Sequence, residues 1–118
     1  MFNFEKLGVW QKAIEFADLI YTDTCSFPTE ERFGLTTQLR RAAVSISSNI
    51  AEGSSRSSKV DFARFIEIAT GSVFEVVSQA FIGRRQGFLN EENFRALHSA
   101  ADEIGRMLRG LRKSLGLV

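Results

Sequence analysis

The side chains best placed for chemistry fall in one line. Gln38, Arg41, Ser45, Asn49, Glu52 and Arg56 recur at spacings of three or four, so on a helix turning 100° per residue they form a single hydrogen-bonding seam. Amides, guanidinia, a hydroxyl and a carboxylate in one row could grip a small polar ligand, or they could form a network that fixes the register of helices or subunits. Uncompensated burial of such groups costs roughly 2–7 kcal/mol each, so they need partners. Arg41 and Glu52 are too far apart on a straight helix to meet, and those partners must come from other helices or other chains. The structural reading is the favoured one, with ligand binding as its alternative.

Two other groups suit anions. The stretch Gly53-Ser54-Ser55-Arg56-Ser57-Ser58-Lys59 could hold a phosphate on free backbone amides at a helix start, although it lacks the G-x-x-x-x-G-K-[ST] spacing of a phosphate-binding loop; a capped linker is the simpler account. Arg95, Arg106, Arg109 and Lys113 would share the side of a last helix away from its apolar seam and could track a nucleic-acid backbone. A solvated face with cations at a helix C-terminus explains the same residues, and no aromatic residues are interleaved there for base stacking. No catalytic set emerges. His98 is the sole histidine and has no partner at ligand spacing, so neither a metal nor another cofactor is expected. Cys25 reads as a small buried or half-buried residue at a helix end. Glu67 and Glu75 lack the Glu-x-x-His relation of di-iron bundles. Nothing combines a nucleophile, a base and an oxyanion site, and an enzyme is the least supported class.

Positioning these residues requires four helices. Leu7, Trp10, Ile14, Ala17, Tyr21 and Thr24 mark a seam on a helix over about 8–25, which Pro28 closes off. Leu35, Leu39, Ala42, Ile46, Ile50 and Gly53 mark a second, over about 36–53. Ser58 and Asp61 have the relation of a capping box and open a third over about 58–87, whose apolar line is Phe62, Phe65, Ile66, Ala69, Val73, Val76 and Ala80. Asn90 with two acids after it opens a fourth over about 90–115, with Phe94, Leu97, Ala101, Ile104, Leu108, Leu111 and Leu115 alternating by three and four. Short connections make sequential helices antiparallel neighbours, so the expectation is an all-α, single-domain, up-down-up-down four-helix bundle. Small residues on the second helix suggest a close approach by a neighbour, and Gly71 on the third suggests its counterpart.

The chain has 118 residues, 25% of them charged, 44% hydrophobic, and a net charge of +1. That suffices for one hydrophobic core and gives no overall electrostatic reason to bind nucleic acid. The charges are uneven. Residues 1–31 carry two lysines against six acids, whereas residues 104–118 carry three arginines and a lysine with no acid; pairing inside the fold or between subunits would reconcile the two ends. A single cysteine, no leader pattern and no uninterrupted apolar run near 18 residues lead to the expectation of a cytoplasmic protein without a membrane span. Phe16, Leu19, Ile68, Phe74, Phe81 and Ile82 lie off the apolar seams. As a surface they exceed what a soluble monomer leaves bare, which predicts a homo-oligomer.

The motifs Leu7-x-Val9-Trp10-Gln11-x-Ala13, Phe27-Pro28-x-x-Glu31-x-Phe33-Gly34-Leu35, Gln38-Leu39-Arg40-Arg41-Ala42-Ala43-x-Ser45-Ile46-x-x-Asn49-Ile50-Ala51-Glu52-Gly53, Arg56-x-Ser58-x-x-Asp61-Phe62 and Ile68-Ala69-x-Gly71-Ser72-x-x-Glu75 together resemble the bacterial family of small proteins encoded in 23S ribosomal RNA intervening sequences. Distantly, they resemble the accessory barrel protein of diversity-generating retroelements. The resemblance covers residues 7–80 and implies a four-helix bundle, commonly a ring of five subunits, without established catalysis. It also implies RNA or an RNA-associated protein as a partner.

Overall fold

The computed structural model describes residues 1–117. Four helices make up the body: α1 (Gly8–Thr24), α2 (Leu35–Ser54), α3 (Lys59–Arg85) and α4 (Glu91–Ser114), with single 3-10 turns at Asn3–Lys6 and Thr29–Glu31. Each helix packs on its chain neighbours and α4 returns to α1, so the four close into a square with no contact across either diagonal among the described residues. This is an all-α antiparallel four-helix bundle. Its 43 Å long axis matches α3, whose 27 residues at 1.5 Å rise span about 40 Å.

Local chemistry sets the helix ends. Ser58 Oγ accepts the Asp61 amide at 3.1 Å, and Asn90 Oδ1 accepts the Asn93 amide at 2.7 Å, each satisfying a free N–H of a first turn. The start of α2 is capped from upstream instead, by Glu31 Oε1 accepting the Leu35 amide at 3.1 Å. After α3 the chain turns at Gly87, where φ is +80°. There the Phe88 and Leu89 amides both donate to Gly83 O, a helix-ending geometry that favours glycine. The N-terminal arm is fastened by Asn3 Nδ2 donating to Ser54 O at 3.1 Å and by Phe4 set edge-on to Trp10 at 4.9 Å.

The core is one cluster that includes Phe16, Ile20, Leu39, Ile46, Ile50, Ile66, Val76, Leu97, Ile104 and Leu108. All six seam residues of α2 are buried. On α1 the buried line is Val9, Ala13, Phe16 and Ile20, about 100° round from the expected line, while Ile14 and Tyr21 are exposed. Both lines obey the three-four spacing and both are apolar, so periodicity alone does not choose between them. Packing does: α1 turns the Val9, Ala13, Phe16 and Ile20 line toward α2 and α4, and Trp10 and Tyr21, which have polar handles, stay at the edge and the surface. Phe16 is therefore corrected from a surface residue to a core residue, at 2% exposure.

The close helix approach also differs from expectation. A Cβ on Gly53 would lie 2.7 Å from Phe65 Cβ and 3.0 Å from Phe62 Cδ1, whereas one on Gly71 would meet nothing within 4 Å. The tight contact between α2 and α3 is at Gly53, and Gly71 lies exposed on the outside of α3. Helix α3 also contains an 18-residue window of mean hydropathy 1.4 with no more than two charges, long and apolar enough to cross a membrane by composition, although only 39% of it is buried in the bundle. Polar residues such as Glu67, Ser72 and Glu75 interrupt this stretch, so it is not the uninterrupted apolar run expected of a span, although its mean hydropathy is high.

Candidate functional site

The polar seam of α2 finds its partners partly on α3 of the same chain and partly along itself. Ser45 Oγ and Ser72 Oγ are 2.9 Å apart. Asn49 Nδ2 donates back along its own helix, to Ser45 O at 2.8 Å and Ser45 Oγ at 2.9 Å. Gln79 Nε2 reaches Gln38 Oε1 at 3.4 Å and Glu75 Oε2 at 3.3 Å, both long contacts, and its buried Oε1 has no partner. At the far end Arg56 Nη2 meets Glu52 Oε1 at 3.4 Å and its guanidinium lies over the Phe65 ring at 4.8 Å. Gln38, Arg41, Glu52 and Arg56 are exposed, and Ser45 and Asn49 half-buried. The seam is thus a half-exposed strip along the α2–α3 join. Ser72 and Gln79 are the residues that sequence reading missed as its partners, with Glu75 bonded to Gln79 between them; the three recur at three and four on α3, a signal hidden by reading each helix alone.

The serine-rich connection carries Arg56 in the contacts just given, with Lys59 exposed beside it. On α4, Arg95 pairs with Glu91 at 3.1 Å, Arg106 with Asp102, and Arg112 with Glu67 of α3 at 3.1 Å. Among the described residues Arg109 and Lys113 have no acid within ion-pairing distance. The acidic start and basic end of the chain do not neutralise each other internally: the ion pair between α1 and α4 is Lys12 with Glu103, opposite in sense to the segment charges.

The apolar residues expected at a surface divide. Ile68, Phe74, Phe81 and Ile82 are 48%, 70%, 49% and 50% exposed and line the outside of α3, whereas Leu19 is partly buried against the core. Beside this face runs a groove of about 490 Å³ between α3 and α4, lined by Phe74, Val77, Phe81, Gly105, Arg106 and Arg109 among others. Open space stands over Gly105, which deepens the floor. Phe81, Phe94 and His98 form an aromatic cluster at its end, with Phe81 and Phe94 centroids 4.8 Å apart. Helix α3 therefore adds Phe74 and Phe81 to Phe94 and His98 of α4.

No group of three or more His, Cys, Asp or Glu side chains is placed to hold a metal among the described residues. Cys25 is exposed, a correction to its expected burial, because it follows the last turn of α1 where the chain leaves the core; its Sγ lies 3.9 Å from Arg40 Nη2. Burial pushes the Asp23 carboxyl above its ordinary 3.8, since the charged form loses hydration, and its Oδ2 has no hydrogen-bond partner.

A family model described as 23S rRNA-intervening sequence protein matches residues 5–110. The chain belongs to that family. Among solved structures, a protein of unknown function from the S23 ribosomal protein family of Bacteroides thetaiotaomicron superposes with a TM-score of 0.80 and 25% identity, covering 89% of this chain and 98% of the other. A search of curated proteins gives no match. Membership in the intervening-sequence family accounts for the bundle and for the motifs of α2. It brings no reaction with it, and the Bacteroides relative is itself of unknown function.

Proposed function

We propose that the chain is a non-enzymatic assembly module, a bundle that builds a homo-oligomer and offers the assembled surface to RNA or an RNA-associated protein. The observation that carries this reading is the outer face of α3, where Ile68, Phe74, Phe81 and Ile82 are about half exposed or more. Removing such side chains from water is worth roughly 1.5–3 kcal/mol each when complete, and several large apolar side chains left bare on one helix mark a contact surface. The polar strip beside it, satisfied largely within the chain, acts to set the register of α2 on α3 rather than to hold a ligand.

Light scattering on the purified protein at micromolar concentration tests the assembly. A mass that is a multiple of the protomer supports it, and a monomer refutes it. RNA association is supported by the family's description. A gel shift with single-stranded RNA that weakens steeply with salt is the expected result; no shift at low salt refutes that part alone.

A further inference from the structure

The groove between α3 and α4 has two competing occupants, a nucleic-acid backbone and a second copy of this chain. We infer that it receives the outer face of α1 from a second copy, in a head-to-tail contact. The inference rests on the oligomeric reading above and adds which surfaces meet.

Charge selects the occupant. Within the groove Arg106 is already paired with Asp102, so the site is weakly basic, which suits one or two carboxylates better than a run of phosphates. The outer face of α1 offers those carboxylates. Glu15 and Asp18 are exposed, and among the described residues neither has a cation within ion-pairing distance. Spacing agrees as well. Glu15 and Asp18 are three residues apart on α1, and Arg106 and Arg109 are three apart on α4, so each pair repeats at the same separation of about 5–6 Å along a helix surface. Ile14, 38% exposed, lies four residues before Asp18 and would enter the apolar part of the groove beside Phe74. The contact also supplies what the fold leaves undone: the acids of residues 1–31 and the bases of residues 104–118 find each other between chains.

The two surfaces are different, so the contact is heterologous. Repetition closes it into a ring when the rotation between copies divides a full turn, and otherwise extends it as a filament.

Charge exchange tests it. Arg109→Glu and Asp18→Arg, both at exposed positions, are each expected to weaken assembly by about tenfold or more, since each sets like charges together. The double variant is expected to restore the wild-type mass in light scattering, with circular dichroism checking that all three variants fold. If the wild type is oligomeric and both single variants keep its mass, the contact lies elsewhere and this inference falls while the oligomeric reading stands. A monomeric wild type removes both. Loss of the RNA shift in Arg109→Glu with an unchanged oligomer assigns the groove to nucleic acid and overturns the inference.

Discussion

Substituting alanine for glycine at two positions separates helix propensity from helix packing. Gly53 and Gly110 both lie inside helices, where alanine is intrinsically favoured by up to about 1 kcal/mol. At Gly110 a Cβ meets nothing within 4 Å, so Gly110→Ala should stabilise the fold by about 0.5–1 kcal/mol. At Gly53 the new carbon would sit 2.7 Å from Phe65 Cβ, well inside van der Waals contact, and the obstruction is the root of a side chain rather than a flexible end. Either α2 and α3 separate or Phe65 leaves its rotamer, at about 1–3 kcal/mol for overpacking. Set against a propensity gain that is reduced near the helix end, the net expectation is a loss of about 1–2 kcal/mol. At this chain length that is a fall of roughly 3–8 °C in melting temperature, and Gly110→Ala should move it the other way. Thermal melts followed by circular dichroism at one fixed protomer concentration measure both, since assembly would otherwise shift the midpoints. Gly53→Ala melting at or above wild type would refute the claim that the α2–α3 join is closest at Gly53.

Three further outcomes follow from burial and hydrogen bonding. Phe16→Ala should destabilise by about 3–5 kcal/mol, whereas Phe74→Ala, at a side chain 70% exposed, should leave the unfolding of the dilute protein nearly unchanged and weaken assembly; chemical denaturation and light scattering distinguish the two. Asn49→Ala removes bonds made along its own helix and should cost about 0.5–1.5 kcal/mol without altering the oligomer, and a change of mass would show that the seam reaches a second chain. The Asp23 carboxyl has a folded pKa above its ordinary 3.8, so the native state binds its proton more tightly than the unfolded state. Stability from this group is therefore lost as pH rises from 3.8 through the raised folded value. Asp23→Asn should flatten that slope in melts taken across the acid range, and an unchanged slope would refute the burial effect.

Three of the four helix seams were legible because their apolar and polar lines are well separated. Leu35 to Gly53 on α2 and Leu97 to Leu108 on α4 alternate by three and four with polar residues opposite, and their order along the chain is enough to choose an antiparallel bundle. On α1, Val9, Ala13, Phe16 and Ile20 compete with Leu7, Trp10, Ile14 and Ala17, two apolar lines about 100° apart, and only the neighbouring helices decide between them. Gly71 and Gly53 show a related limit. A glycine within a helix signals that something special holds at that position, but its spacing does not say whether the space above it is filled by Phe65 or left open. The partners of the polar seam were hidden for another reason: a hydrogen bond such as Ser45 to Ser72 links residues 27 apart, and no periodicity within either helix encodes the register between them.

The apolarity of α3 exceeds what its own bundle requires, and this excess decides how the molecule is to be understood. A helix packed on one side of a bundle needs one apolar stripe of about 100°, which Ile66, Ala69, Val73, Val76 and Ala80 supply. Ile68, Phe74, Phe81 and Ile82 are additional, and they raise the mean hydropathy of the window to 1.4. Three surfaces could cover them: a lipid bilayer, a nucleic acid, or protein. A bilayer would require α3 to give up Ser45–Ser72 and the Gly53 contact and to carry Glu67 and Glu75 into hydrocarbon, a cost of several kcal/mol. Nucleic-acid bases stack on exposed aromatic rings but draw little from Ile68 and Ile82. A protein surface uses both kinds of side chain and leaves Glu75 and Gln38 at a wet rim, so the residues added beyond the core requirement of α3 are those that contact with another chain would require.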